Sequence, residues 1–76
     1  MPPLPVITGG ELIRSLEKAG FLAIRQRGSH VRMRHPDGRV TSVQTHGKKS
    51  IGPGLLRKVL RDAEVSTEEL LQLLNG

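Results

Sequence analysis

The sequence predicts a small two-layer α+β domain, a three-stranded antiparallel meander with helices on one face. Three observations point there. Apolar residues recur at helical spacing near either end, in Leu12, Ile13, Leu16 and Ala19 and again in Leu55, Leu56, Val59, Leu60 and Ala63. The middle alternates instead, with Val31, Met33 and His35 of one parity and His30, Arg32 and Arg34 of the other. Turn signals at Gly28-Ser29 and Pro36-Asp37-Gly38 cut that middle into strands. At 76 residues the chain is a single domain, 1–76. A domain of this size buries only about 60% of the surface its unfolded chain exposes. No deep substrate cavity fits, so any chemistry belongs on an open face, which suits a polymeric substrate.

Each element has a local reason. Residues 1–7, MPPLPVI, form an extended arm, because Pro2, Pro3 and Pro5 forbid a regular helix. The arm lacks the basic start and apolar run of a signal peptide, and no stretch approaches membrane-spanning length, so a cytoplasmic protein is expected. Thr8 and Glu11 make a capping box that starts the first helix near Gly9, and Gly20 suits the left-handed position past its end. Phe21 to Arg27 is the first strand, His30 to His35 the second and Val40 to Thr45 the third. Val40 and Val43 have opposite parity, so one is exposed or a bulge intervenes. HGKKSIGPG, residues 46–54, is a glycine-rich basic loop, and Pro53 suits the first turn of the second long helix. Ser66 and Glu69 repeat the capping pattern before a short third helix. Its Leu70, Leu71, Leu73 and Leu74 are expected to pack on the sheet or on the second helix, or to meet a partner. The order α-β-β-β-α plus a short C-terminal helix is also that of the double-stranded-RNA-binding fold, an analogy of topology alone.

Charge is segregated. The chain carries +5, and residues 25–49 hold seven basic residues against Asp37, so the excess lies in one central segment. A surface kept for solubility mixes both signs, whereas this pattern is the footprint of a polyanion binder. With no cysteine there is no disulfide framework and no thiolate metal site, in keeping with a reducing compartment. The histidines are spaced by five and eleven residues with Asp37 the nearest acid, which is not a metal-site pattern. The basic residues concentrate on strands and loops, and no helix combines a basic face with a helix-turn-helix pattern, which argues against a DNA-binding regulator.

If Val31 and Met33 pack inward, His30, Arg32 and Arg34 form an outward row, with Arg25 and Arg27 sharing a face of the preceding strand. Gly28 permits a turn or a close backbone approach to a phosphate, and Ser29 can donate to a phosphate oxygen or serve only the turn. Lys48 and Lys49 add charge in the loop. From this pattern alone His30 is an outward strand histidine that nothing requires to do chemistry. His35 has the inward parity and precedes Pro36, so it reads as turn packing. His46 reads as a loop histidine.

The segments GGELIRSLEKAGF (9–21), RQRGSHVRMRHPDGR (25–39), Val43-x-x-His46 and GPGLLRKVLRDA (52–63) resemble the HicA family of prokaryotic toxins, over about Gly9 to Ser66. The most specific parts are the strand ending in Gly28-Ser29-His30, with the His35-Pro36-Asp37-Gly38 turn after it, and the Ile51-x-Pro-Gly-x-Leu-x-x-x-Leu opening of the second long helix. The resemblance implies a ribosome-independent mRNA interferase with a double-stranded-RNA-binding-like fold, neutralised by a HicB-type antitoxin that masks its essential histidine. That histidine maps to His30. It implies mRNA as substrate, with Arg25, Arg27, Gly28, Ser29, Arg32, Arg34, Lys48 and Lys49 as the RNA-binding set, and no metal or cofactor. The alternative is a non-catalytic RNA-binding module of the same fold. Two positions depart from the family's pattern: Gln44 stands where proline often follows the third-strand valine, and Glu64 where glycine often follows the second long helix.

RNA cleavage of this kind needs a base for the 2′-hydroxyl proton and an acid for the leaving 5′-oxygen. An ordinary histidine, with a pKa of about 6.5, serves either role near neutrality. Phe21 is the one aromatic residue and reads as core, so weak sequence preference is expected.

Overall fold

The computed structural model describes residues 3–76. Met1 and Pro2 of the expected arm lie outside the described residues. The elements run α1 (Gly9–Lys18), β1 (Leu22–Arg27), β2 (His30–Arg34), β3 (Val40–Gln44), α2 (Pro53–Ala63) and α3 (Thr67–Asn75). The strands form one antiparallel sheet in the order β1-β2-β3. The fold is therefore the α+β arrangement expected, with a third helix closing the chain.

Local chemistry sets most boundaries. The Thr8 hydroxyl accepts from the Glu11 N–H at 3.2 Å, and the Glu11 carboxylate accepts from the Thr8 N–H at 3.0 Å. The Thr8 backbone N–H, and after it the Thr8 side chain, hold the Glu11 carboxyl below its ordinary pKa. Gly20, at φ +105°, turns the chain out of α1. Pro53 occupies the first turn of α2. Past the end of α2, Glu64 adopts φ +55°, the left-handed conformation glycine tolerates best and other residues enter at a cost of roughly 1–2 kcal/mol. At α3, Ser66 accepts from the Glu69 N–H at 3.0 Å.

The core lies between the sheet and the helices. Leu12 and Leu16 of α1, Val31 and Met33 of β2, Val43 of β3, and Leu56, Val59, Leu60 and Ala63 of α2 are buried, joined by Phe21, Val65 and Leu70. The arm belongs to it as well. Ile7 is buried and Leu4 packs against the cluster.

Three details differ from the sequence reading or settle it. Phe21 is a buried residue just ahead of β1, which starts at Leu22 and exposes every one of its residues. The bulge lies in β1, between Ala23 and Arg25, while β3 pairs regularly with β2. Val43 accordingly faces inward and Val40 outward and half-buried. Finally, α3 packs on α1 instead of on the sheet or α2, with Lys18 Nζ donating to the Leu73 carbonyl at 3.0 Å. That cation also meets the negative end of α3's dipole. Among the described residues no helix is long and apolar enough to cross a membrane.

Candidate nucleic-acid interface

The helices cover one face of the sheet and leave the other open. The strand register fixes which side chains share the open face. Arg27 pairs with His30 and His30 with Gln44; Arg25 pairs with Arg32 and Arg32 with Ser42; Leu22 pairs with Arg34 and Arg34 with Val40. Directly paired residues project to the same side, so these nine form three rows across the sheet. None is acidic. The bulge makes this possible, because Ile24 is the extra residue that lets Leu22 and Arg25, three positions apart, face the same way.

Arg25 and Arg32 therefore stand opposite each other as a like-charge cross-strand pair, an arrangement that is destabilising in the absence of an anion. The three ion pairs among the described residues involve Asp37 with His35 and Arg39, and Lys58 with Asp62. None of the open-face arginines is neutralised. Together Arg25, Arg27, His30, Arg32 and Ser42 line a shallow depression of about 180 Å³. Its walls can grip a phosphate, and its openness admits a chain passing through.

At the hairpin tip, Gly28 takes φ +56° and Ser29 does not take positive φ, the pattern of a two-residue turn with glycine first. The turn alone accounts for the glycine, although no atom lies within 4 Å of where its Cβ would be, so the backbone there is accessible. Ser29 is half-buried, and its carbonyl accepts from the Thr45 N–H at 2.7 Å and from the Thr45 hydroxyl at 3.2 Å. Those bonds bring the end of β3 and the start of the following loop against the tip. Lys48 and Lys49 are exposed in that loop. Of the expected residues, Arg25, Arg27, His30 and Arg32 are brought together, with Gly28 and Ser29 at the adjoining hairpin tip. Arg34 faces the same side as Arg32 but lies at the far end, beside a second depression lined by Leu22, Ile24, His35 and Pro36. Sequence reasoning missed Ser42 and Gln44, whose place opposite Arg32 and His30 follows only from strand register.

Arg39 and His35 are engaged by partners at the turn between β2 and β3. Arg39 sits 5.1 Å from the Phe21 ring centroid, pairs with Asp37 at 2.9 Å and donates to the Ala63 carbonyl at 2.6 Å. The Arg39 hydrogen bonds, first from its side chain, pull the Asp37 carboxyl below its ordinary pKa, and Asp37 in turn raises that of Arg39. His35 packs edge-on against Phe21 with ring centroids 5.2 Å apart. Its Nδ1 accepts from the Asp37 N–H at 3.1 Å and lies equally close to the Asp37 carboxylate, so the ring is held to the turn. Among the described residues no three His, Asp or Glu side chains converge as metal ligands would.

Residues 9–65 match a family model described as "HicA toxin of bacterial toxin-antitoxin". The match begins with α1 and ends just before α3, and takes in the whole sheet and α2. No curated protein gives a match.

Proposed function

The chain belongs to the HicA toxin family of toxin–antitoxin systems, and from that membership and the open face we propose that it is an endoribonuclease cleaving single-stranded mRNA independently of the ribosome. The observation that supports this best is the acid-free sheet face, on which His30 stands in register between Arg27 and Gln44. Phosphates lie along the arginine rows. His30 exchanges a proton with the reacting ribose or the leaving oxygen, and Arg25, Arg27 and Arg32 stabilise the charge that builds on phosphorus. No metal or cofactor is required by this scheme. Phe21, the sole aromatic residue, is only 1% exposed, so splayed bases have no aromatic to stack on and cleavage is weakly sequence-selective.

The test is cleavage of a long single-stranded RNA in EDTA by the purified chain beside His30→Ala. Loss of about 10²–10⁴-fold in the variant, with RNA binding kept, is the expected result. Salt-sensitive binding without cleavage by either protein would replace this reading with that of a non-catalytic RNA-binding module.

Family membership implies an antitoxin partner. We propose a HicB-type protein that lays an acidic surface over the same face and masks His30. Equal antitoxin affinity after Arg25, Arg32 and Arg34 are all replaced by Ala would refute that placement.

A further inference from the structure

We propose that His46 is the second proton-transfer group of this site, donating to the leaving 5′-oxygen while His30 accepts the 2′-hydroxyl proton. The inference rests on the ribonuclease reading above and adds to it a specific division of labour. Gln44, the last residue of β3, pairs with His30 and shares its open face. The His46 Nε2 lies 3.4 Å from the Gln44 Oε1. A carboxamide oxygen only accepts, so this contact is a hydrogen bond when the His46 Nε2 carries the hydrogen, the form a proton donor needs. The contact is long for a hydrogen bond, as catalytic contacts often are before substrate arrives, and the 5′-oxygen can take the place of the amide oxygen.

Two imidazoles thus neighbour one amide. Cross-strand neighbours have Cβ atoms about 4.5–5.5 Å apart, which sets Gln44 beside His30, and the contact with Gln44 brings His46 to the same end of the sheet. In-line displacement at phosphorus needs its base and acid on opposite sides of the phosphate, the division assigned to His30 and His46. The backbone that carries the second ring is fastened on both sides. Both Thr45 bonds to the Ser29 carbonyl fasten the residue before His46, and the Lys49 N–H donates to the His46 carbonyl at 3.1 Å. The charged groups around the pair are Arg27 across the hairpin and Lys48 and Lys49 along the loop. Among the described residues no carboxylate pairs with either ring, whereas His35 is committed to Phe21 and Asp37. Gln44 touches no reacting atom in this scheme and serves as a positioning residue.

The reaction balances without a co-reactant. The 2′-oxygen–phosphorus bond forms and the phosphorus–5′-oxygen bond breaks. The 2′-hydroxyl proton passes to the His30 imidazole, and the His46 imidazolium gives its proton to the 5′-oxygen. The products are a 2′,3′-cyclic phosphate and a 5′-hydroxyl.

The experiment compares single-turnover cleavage of an RNA oligonucleotide with that of the same oligonucleotide carrying a 5′-bridging sulfur, a leaving atom that needs no proton. Wild type, His30→Ala, His46→Ala, His46→Gln and Gln44→Leu are followed across pH. Both His46 variants should lose about 10²–10⁴-fold on the oxygen substrate and regain most of it on the sulfur substrate. Their rates should also lack the wild-type fall at high pH. His30→Ala should not be rescued, and Gln44→Leu should lose about tenfold and recover it on sulfur. The inference is overturned if the His46 variants stay within about threefold of wild type at every pH, or lose equally on both substrates. Wild type inert toward both substrates would overturn the ribonuclease reading with it.

Discussion

His30 and His35 lie five residues apart, each among arginines, yet they occupy opposite kinds of ground. At the corner between β2 and β3, every charge has an internal partner. Arg39 reaches Asp37, Phe21 and the end of α2, and His35 is wedged between Phe21 and the turn. On the open face, Arg25 and Arg32 face each other with no acid between them, and His30 stands beside Arg27. The same residue types therefore serve cohesion in one place and remain available in the other. What separates them is the presence of a partner, not local composition.

The sharpest way to break this contrast is to truncate the two histidines side by side. His30→Ala should remove most cleavage and leave the melting temperature nearly unchanged. His35→Ala should do the reverse, losing about 1–2 kcal/mol of stability with the edge-on aromatic contact and the hydrogen bond to the turn. Thermal melts and single-turnover cleavage on the same preparations decide it. A large loss of activity in a fully folded His35→Ala would erase the distinction.

The arginines offer the next test. Arg39→Met should cost about 1–2 kcal/mol, because it leaves the Ala63 carbonyl without its donor and removes the cation from Phe21. Arg32→Met should leave stability within about 0.5 kcal/mol or raise it slightly, since it relieves the facing Arg25. It should instead weaken RNA binding and reduce the slope of log K against log salt by about 0.7. Denaturant unfolding and a salt series of binding measurements separate the two outcomes.

The smallest effect concerns acid. The folded-state pKa of Asp37 lies below its ordinary value of 3.8, so its contribution is complete above that pH and is lost as pH falls through the lower folded value. Glu11, lowered from 4.5, behaves in the same sense. Asp37→Asn should flatten part of the decline in stability below about pH 4, whereas replacing an open-face arginine should leave that limb as it was. Melting temperatures from pH 2 to 6, at fixed ionic strength, measure it.

Much of the architecture was legible because its causes are local. The Thr8–Glu11 box, Gly20, Pro53 and the period of Leu12 and Leu16 act within a turn or two of chain. The run Phe21-Leu22-Ala23-Ile24 carries no alternation, so neither the bulge nor the exposure of Leu22 and Ile24 was readable from it. Arg39 was counted with the basic segment because its other partners, Phe21 and Ala63, come from distant parts of the chain. Gln44 drew notice only as a departure, since its meaning depends on lying opposite His30. The α3 leucines had several apolar surfaces open to them, and Lys18 with Leu73 shows which was taken. At Glu64, composition hid a left-handed residue that glycine would have announced.

The loop bearing His46, Lys48 and Lys49 is moored at both ends. Thr45 is bonded to the hairpin tip, while Thr8 bridges Ser50 and the Ile51 N–H donates to the Ile7 carbonyl at 2.8 Å. Only four residues, 46–49, span these moorings. A strap that short has few conformations left to surrender. On the proposed reading, capturing an RNA strand demands little further ordering from the protein, and most of the entropic penalty of association falls on the flexible nucleic acid.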